Sequence, residues 1–392
     1  MNSKNIVFFS TTKPPINAGA ERNAYNFAIF LSKKGYNVSF VSFFKYSKNK
    51  FQQDHILNII NIYFNTKNIL LKFFTLCKVL IIYTKQIYKN RIIIIYGGHL
   101  FGNKFIILIG RLFNRIVIFR STMYGIDDMH SIINRKKIKI FTKYIFNKVS
   151  FYFSISPIFT KSWEKIFNSR KKVLETSQGV DVSLFYPISQ NSKFSLKNKL
   201  KIPTGLPILI SVGYLIERKG FREIFTALSK IENPFLYCII GDYNISKHHY
   251  NYHLYKEMDN LYQLGNDLLG KKVLFLGPKQ NVHEYLQTSD IYILNSTQEG
   301  VPNALLEAMA CHLPPIVRNI PGLKNFILFD KYNSLIHNSK DELKNNILLL
   351  LNNKNMREYL GKNAWKSILN HFTFDNTLQI LEKKIFIELR KN

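Results

Sequence analysis

Two glutamates stand in the stretch LNSTQEGVPNALLEAMAC (294–311), with seven residues between them. Glu299 falls in a polar loop after the apolar run 290–294. Glu307 comes about one turn into the helix that the spacing predicts, with Pro302 where that helix can begin. The backbone N–H groups of Gly300, Val301, Asn303 and Ala304, around Pro302, are placed at the helix start. Amides there, with the positive end of the helix dipole, suit a phosphate or an oxyanion. Two carboxylates flanking such a start suit hydroxyls on either side of a diphosphate, one set on a sugar and one on a ribose. The other reading makes Glu299 a cap partner and Glu307 a solvated side chain. Leu305, Leu306, Ala308 and Met309 surround Glu307 in sequence and weigh against solvation.

A second candidate is SVGYLIERKGFREIFTAL (211–228). A strand ends at Gly213, a basic loop follows, and a helix begins near Gly220. Arg218 and Lys219 then stand at the C-terminal edge of a sheet, where open α/β domains bind ligands. A cation pair there neutralises a diphosphate, or is only a solvated turn. A third is PPINAGAERN (14–23), between the first strand and the first helix. Gly19 in this loop permits close backbone approach to an anion. The alternative is an ordinary strand-to-helix turn.

The elements that must carry these residues alternate. Apolar strand runs are read at 6–10, 38–44, 91–97, 115–121 and 151–156, with helical periods between them; the first, over 20–34, stops at Gly35. The pattern restarts after residue 184, with strands at 207–213, 236–242, 273–277, 290–296 and 314–319. Continuously apolar strands separated by helices indicate parallel sheets covered on both faces. Residues 184–206 are rich in Pro, Ser, Asn and Lys and read as a linker. Two α/β domains follow, over 1–183 and 184–371, in keeping with 392 residues.

Composition narrows the classes. Hydrophobic residues make up 46%, enough for a sizeable core, so global disorder is excluded. The three cysteines are far apart, giving neither a disulfide framework nor a zinc spacing. No secretory signal is read at the N-terminus, and Lys or Arg interrupts the most apolar stretches, so a soluble or peripheral cytoplasmic protein is expected. The net charge is +30, and it is uneven: residues 1–180 carry 29 basic and 6 acidic side chains, and residues 181–392 carry 26 and 19. One half therefore favours a polyanion. Lys72, Lys78, Lys85 and Lys89 punctuate apolar residues between 66 and 90. That segment is either a basic amphipathic helix for an anionic bilayer or a core helix with snorkelling lysines. The cluster RKKIK (135–139) reads as a solvated helix face or as part of the same surface.

The run EGVPNALLEAMA resembles the E-x(7)-E signature of the family 4 retaining glycosyltransferases of GT-B fold. The likeness extends along most of the chain. AGAER (18–22) is similar to the family's GGAER, QGVDVSLFYP (178–187) to the stretch entering its linker, and SVGYLIERKG (211–220) to its strand and KG loop. VLFLG (273–277) and SDIYIL (289–294) match the approach to the signature.

The resemblance implies two Rossmann-like, doubly wound domains facing an interdomain cleft. The N-terminal domain would bind the acceptor and the C-terminal domain a nucleotide sugar, a UDP- or GDP-sugar, with the last helices (372–392) packing back on the first domain. Lys219 would bind the donor diphosphate and Glu307 the ribose hydroxyls. Glu299 would position the sugar, the backbone of Gly300 through Asn303 would hold sugar and phosphate, and Gly19 would approach the phosphate. No metal or cofactor is implied. Arg218 would supply a cation in place of the arginine that the family has after Gly213, where this chain has Tyr214. RSTMYGIDD (120–128) replaces a histidine site, and Asp127 or Asp128 becomes an acceptor contact or base, or else a helix N-cap. Ala18 and His312 stand where the family has glycine, His312 as a residue that would crowd the donor pocket. The expected acceptor is a saccharide or lipid-linked saccharide in bacterial lipopolysaccharide, O-antigen or capsule assembly, at the inner face of the cell membrane. The competing readings are an inactive GT-B scaffold subunit and a basic nucleic-acid-binding protein; no nucleic-acid module is read in the sequence.

Overall fold

The structure is a computed structural model, and it describes residues 4–10, 19–44, 56–63, 69–97, 102–135, 138–176, 178–243 and 252–389. The side chain of Lys72, two members of the basic cluster, Lys136 and Lys137, and residues 11–18 with Ala18 lie outside the described residues. The chain divides into two units: residues Met1–Gly179 with Phe374–Asn392, and Val180–Thr373. The sequence reading set the boundary at 183/184 and the return at 371/372.

The first unit begins with β1 (Asn5–Ser10), α1 (Gly19–Lys33), β2 (Asn37–Phe44), β3 (Asn58–Tyr63), α2 (Ile69–Lys89), β4 (Ile92–Tyr96) and α3 (Asn103–Leu112). It continues with β5 (Ile116–Arg120), α4 (Met129–Asn134), α5 (Lys139–Phe146), β6 (Phe151–Ser154), α6 (Pro157–Phe167) and β7 (Val173–Glu175). Its parallel sheet runs β3-β2-β1-β4-β5-β6-β7. Every residue of β4 and β5 is buried, as a sheet covered on both faces requires. α1 ends where expected: Gly35 takes φ 86°, and Tyr36 N–H reaches back to the Leu31 carbonyl.

The second unit holds α7 (Gln190–Lys199), β8 (Ile208–Val212), α8 (Phe221–Leu228), β9 (Leu236–Ile240), α9 (Tyr252–Leu269), β10 (Val273–Gly277) and α10 (Val282–Thr288). β11 (Ile291–Leu294), α11 (Asn303–Ala310), β12 (Pro315–Arg318), β13 (Leu335–His337), α12 (Lys340–Asn352) and α13 (Lys354–His371) complete it. Its sheet is also parallel, in the order β10-β9-β8-β11-β12-β13. α14 (Phe374–Leu389) belongs to the first unit, where Phe374 packs 5.3 Å from Phe27 of α1 and Asp375 pairs with Lys34 at 2.7 Å.

The stretch 184–206 is no free linker. It contains α7, which packs on α10. Lys193 donates to Asp290 Oδ1 at 2.7 Å and to the Ser289 carbonyl at 2.6 Å, while Asp290 Oδ2 accepts from Ile208 N–H at 2.8 Å. One carboxylate thus ties α7 to the starts of β8 and β11. Burial lowers the pKa of Lys197, and Asp290 acts against that shift from 3.7 Å. This helix docks by charge, so hydrophobic periodicity could not announce it.

Candidate functional site

In an open α/β sheet the strand order reverses where two neighbouring connections leave in opposite directions, and ligands bind beyond the strand ends there. In the second unit that point lies between β8 and β11. The residues leaving β8 are Gly213 to Gly220, and those leaving β11 are Asn295 to Asn303. Topology therefore brings the KG loop and the glutamate motif together.

Hydrogen bonds and ion pairs join these two loops. Thr297 N–H donates to the Arg218 carbonyl at 2.9 Å. Arg218 Nη1 donates to the Gln298 carbonyl at 2.6 Å, and Asn295 Nδ2 to the Gly220 carbonyl at 2.9 Å. Lys219 Nζ lies 2.6 Å from Glu299 Oε1, with Arg218 Nη1 at 3.4 Å from the same oxygen. Lys219 sits in a single 3-10 turn, Glu217–Lys219, that ends at Gly220 in the left-handed region. Its stem runs past Gly213, where an added Cβ would come 3.3 Å from Lys219 Cε.

Glu299 is buried, at 8% exposure. Burial pushes its carboxyl up, but Lys219 and Arg218 outweigh burial and hold it below the ordinary glutamate value. It is therefore an ionised acceptor with two cations on one oxygen. That makes it a poor nucleophile or base and a good partner for hydroxyl donors.

Glu307 is 5% exposed, so the solvated reading fails. It lies one turn into α11, whose cap is Pro302 and whose first residue is Asn303. The helix thus begins one residue later than the sequence placed it. Leu305 and Leu306 N–H bond back to the Pro302 carbonyl at 3.2 and 3.3 Å. Pro302 itself has no N–H, so Gly300, Val301, Asn303 and Ala304 are the residues that bring amides to this end. Burial, then the Glu307 charge, raises the pKa of the Cys311 thiol on the next turn.

His312 does not crowd this end. It follows the last turn of α11, roughly 12 Å along the axis from Asn303 at 1.5 Å per residue. It holds φ 69°, the left-handed cap position that favours glycine. Its imidazole stands edge-on to Trp365, 6.3 Å away.

The first unit holds the remaining candidates. Gly19 is the first residue of α1. Asp127 is 1% exposed, and its carboxylate accepts from Thr122 N–H at 2.8 Å, Thr122 Oγ1 at 2.7 Å and Met123 N–H at 2.6 Å. It staples the loop after β5. The N-cap is Asp128, not Asp127. Its carboxylate accepts from Ser131 N–H at 3.2 Å, Ser131 Oγ at 2.6 Å, Ser162 Oγ at 2.5 Å and Gly125 N–H at 2.7 Å. Burial acts to raise the Asp128 pKa, and these donors bring it below the ordinary 3.8. Stability from Asp128 is therefore complete above about pH 4 and lost as pH falls through the depressed folded value. We expect Asp128→Ala to cost about 1–2 kcal/mol at neutral pH and to flatten the acid limb of a melting-temperature profile. Identical acid limbs in parent and variant would remove Asp128 from that account.

One residue was missed. Arg120, the last of β5, is 1% exposed. It donates to Asn23 Oδ1 at 3.0 Å and to Gln178 Oε1, and lies over the rings of Tyr96 and Phe153. All these partners are neutral. An arginine closing an apolar strand, RIVIFR, is the signal that could have found it. Among the described residues no group of His, Cys, Asp and Glu could hold a metal ion.

Comparison with known proteins places this geometry. Residues 192–367 match the family model described as glycosyl transferases group 1. An uncharacterized glycosyltransferase of Methanocaldococcus jannaschii is 26% identical over 64% of this chain and 62% of its own length. The N,N'-diacetylbacillosaminyl-diphospho-undecaprenol alpha-1,3-N-acetylgalactosaminyltransferase of Campylobacter jejuni is 27% identical over 57% of this chain and 58% of its own. The chain thus spans about three fifths of these relatives' length. Among solved structures, HepE of Anabaena in complex with UDP and glucose superposes with a TM-score of 0.75 at 16% identity, covering 96% of this chain and 98% of that one. The architecture is a GT-B glycosyltransferase fold, two parallel-sheet α/β domains.

Proposed function

We propose that the protein is a retaining glycosyltransferase that moves a sugar from a nucleotide-sugar donor to a saccharide or lipid-linked saccharide acceptor in bacterial surface polysaccharide assembly. The observation that carries this reading is the buried Glu299 paired with Lys219 and Arg218 at the switch point, beside the start of a helix that buries Glu307. The name of the Campylobacter relative, with its diphospho-undecaprenol acceptor, supports the acceptor class, and the UDP and glucose held by HepE support the donor class.

In this reading the donor diphosphate lies against Lys219, Arg218 and the amides at the start of α11. As the bond from the anomeric carbon to the diphosphate breaks, negative charge grows on the leaving oxygen. Cations and N–H dipoles already aimed there lower the barrier without reorganisation. Glu299, ionised, accepts from sugar hydroxyls and fixes the ring. Glu307 accepts from the ribose hydroxyls. The acceptor hydroxyl attacks from the face that the diphosphate leaves, and a diphosphate oxygen takes its proton. No metal is needed in this scheme.

The test is thermal melting with UDP-, GDP-, ADP- and CMP-sugars. A donor that binds only the folded protein raises the midpoint. We expect one nucleotide class to do so, and Glu307→Gln to weaken that donor tenfold or more, the loss of about 1.5–3 kcal/mol from a charged hydrogen bond. Undiminished affinity in a folded E307Q protein removes Glu307 from the donor site. No shift with any donor favours the inactive scaffold.

A further inference from the structure

The helices on one side of the first sheet carry an unusual surface. α2 packs beside α3, and α3 beside α5. Along α2 one stripe runs Phe74, Lys78, Ile81, Lys85 and Tyr88, in steps of four and three residues, and all five are exposed. Ile81 is 67% exposed. The opposite side of the same helix, Val79, Tyr83 and Ile87, is fully buried. The two readings of this segment therefore divide by face: one side is core, and the other presents aromatic, aliphatic and basic groups to solvent. α5 repeats the mixture, with Ile140 at 86%, Phe141 at 51% and Tyr144 at 57% exposed beside Lys139 and Lys143.

No acidic residue balances these cations. Between Asp54 and Asp127 the sequence has ten Lys and Arg and no Asp or Glu, and α2, α3 and α5 contain none at all. Beside the exposed Tyr144 lies an open pocket of about 450 Å³, lined by Arg111, Tyr144, Asn147, Lys148 and Lys172. Arg111 donates to Ser150 Oγ at 3.0 Å, Lys172 to the Asn147 carbonyl, and Lys148 lies 4.5 Å over the Tyr144 ring. The pocket concentrates three cations and no carboxylate lines it.

We propose that this α2–α3–α5 face docks on an anionic phospholipid bilayer, with a lipid phosphate seated among Arg111, Lys148 and Lys172. Exposed aliphatic and aromatic side chains enter the acyl boundary, and lysines between them meet the headgroups. A bare polyanion meets only half of this pattern, because Ile81 and Ile140 neither stack on bases nor pair with phosphates. A second copy of the chain meets only the apolar half. A two-fold interface sets the same patch against itself, here cation against cation. No described helix is long and apolar enough to cross a membrane, so the attachment is to one leaflet surface. The proposal gives the lipid-linked acceptor of the function above a place to be met, but its test involves no sugar transfer, so the two readings fail separately.

The experiment is co-sedimentation of the full chain with phosphatidylcholine vesicles, with and without phosphatidylglycerol. We expect binding only with phosphatidylglycerol. Lys78→Gln with Lys85→Gln should weaken it about thirty-fold, roughly five-fold for each lysine. Ile140→Ser with Phe141→Ser should weaken it tenfold or more by removing the inserted groups. Lys148→Gln should reduce the preference for phosphatidylglycerol over phosphatidylcholine. All these side chains are exposed or line an open pocket, and unchanged melting temperatures confirm the fold of each variant. Equal binding to both vesicle types overturns the proposal. So does an insensitivity to the lysine pair, a concentration-dependent dimer that I140S/F141S dissolves, or polynucleotide binding through Lys78 and Lys85 that vesicles fail to displace.

Discussion

In the proposed reaction Lys219→Met should lower sugar transfer by about 10²–10³-fold, measured as release of nucleoside diphosphate from whichever donor the melting panel selects. The size follows from placement. The ammonium has three N–H donors, and Glu299 takes one at 2.6 Å. The side chain is 16% exposed, so the charge acts through little intervening water. A cation at the leaving diphosphate matters most when the bond has broken, so the loss falls on kcat more than on donor affinity. Arg218 does not replace it. Its guanidinium already donates to the Gln298 carbonyl, and it reaches Glu299 only at 3.4 Å. Removing Lys219 also leaves the buried Glu299 with a single cation, so some stability goes too. The rate is therefore compared well below the variant's own melting point. A folded K219M protein within threefold of the parent would end the role assigned to Lys219.

The same cluster shows what could be read from the sequence alone. Glu299, Glu307 and Lys219 were legible because each belongs to a short strand–loop–helix unit with strong local signals. Gly220, the left-handed glycine after Lys219, marked the turn. That Glu299 and Lys219 form an ion pair was not legible. It depends on β8 and β11 being neighbours, and pairing between strands so far apart in sequence is a fact of topology. The strands that escaped notice, β3, β7 and β13, lie at sheet edges or close to them, and are polar or only three residues long. Edge strands bury less and so carry a weaker apolar signal. α7 escaped because Lys193 and Lys197 attach it through Asp290. The contacts of Asp127 were not legible either. A carboxylate near a strand end suggests chemistry, and here its oxygens also accept from the amides of Thr122 and Met123. Two adjacent aspartates, 127 and 128, cannot be told apart as cap and staple until the loop is folded around them.

Gly220→Ala should destabilise the second unit by about 2–4 kcal/mol. Two effects combine. Gly220 holds φ 69°, which costs an alanine about 1 kcal/mol or more. The added Cβ would also lie 2.2 Å from the Asn295 backbone oxygen and 2.5 Å from its Nδ2. Neither neighbour can give way cheaply, because Asn295 is 2% exposed and its Nδ2 donates to the Gly220 carbonyl itself. Relief requires the loop after β11 to move, and that loop carries Glu299. Gly270 separates the two effects. It holds φ 51°, also left-handed, but nothing lies within 4 Å of where its Cβ would be. Gly270→Ala should therefore cost only the backbone part, about 1 kcal/mol, or roughly 2–4 °C in melting temperature for a unit of this size. Gly220→Ala should lower the melting temperature about two to four times as far and abolish the donor-induced shift, while Gly270→Ala leaves that shift intact. If the two alanines cost the same, the close approach of the KG loop to Asn295 contributes nothing, and the left-handed turn alone explains the glycine.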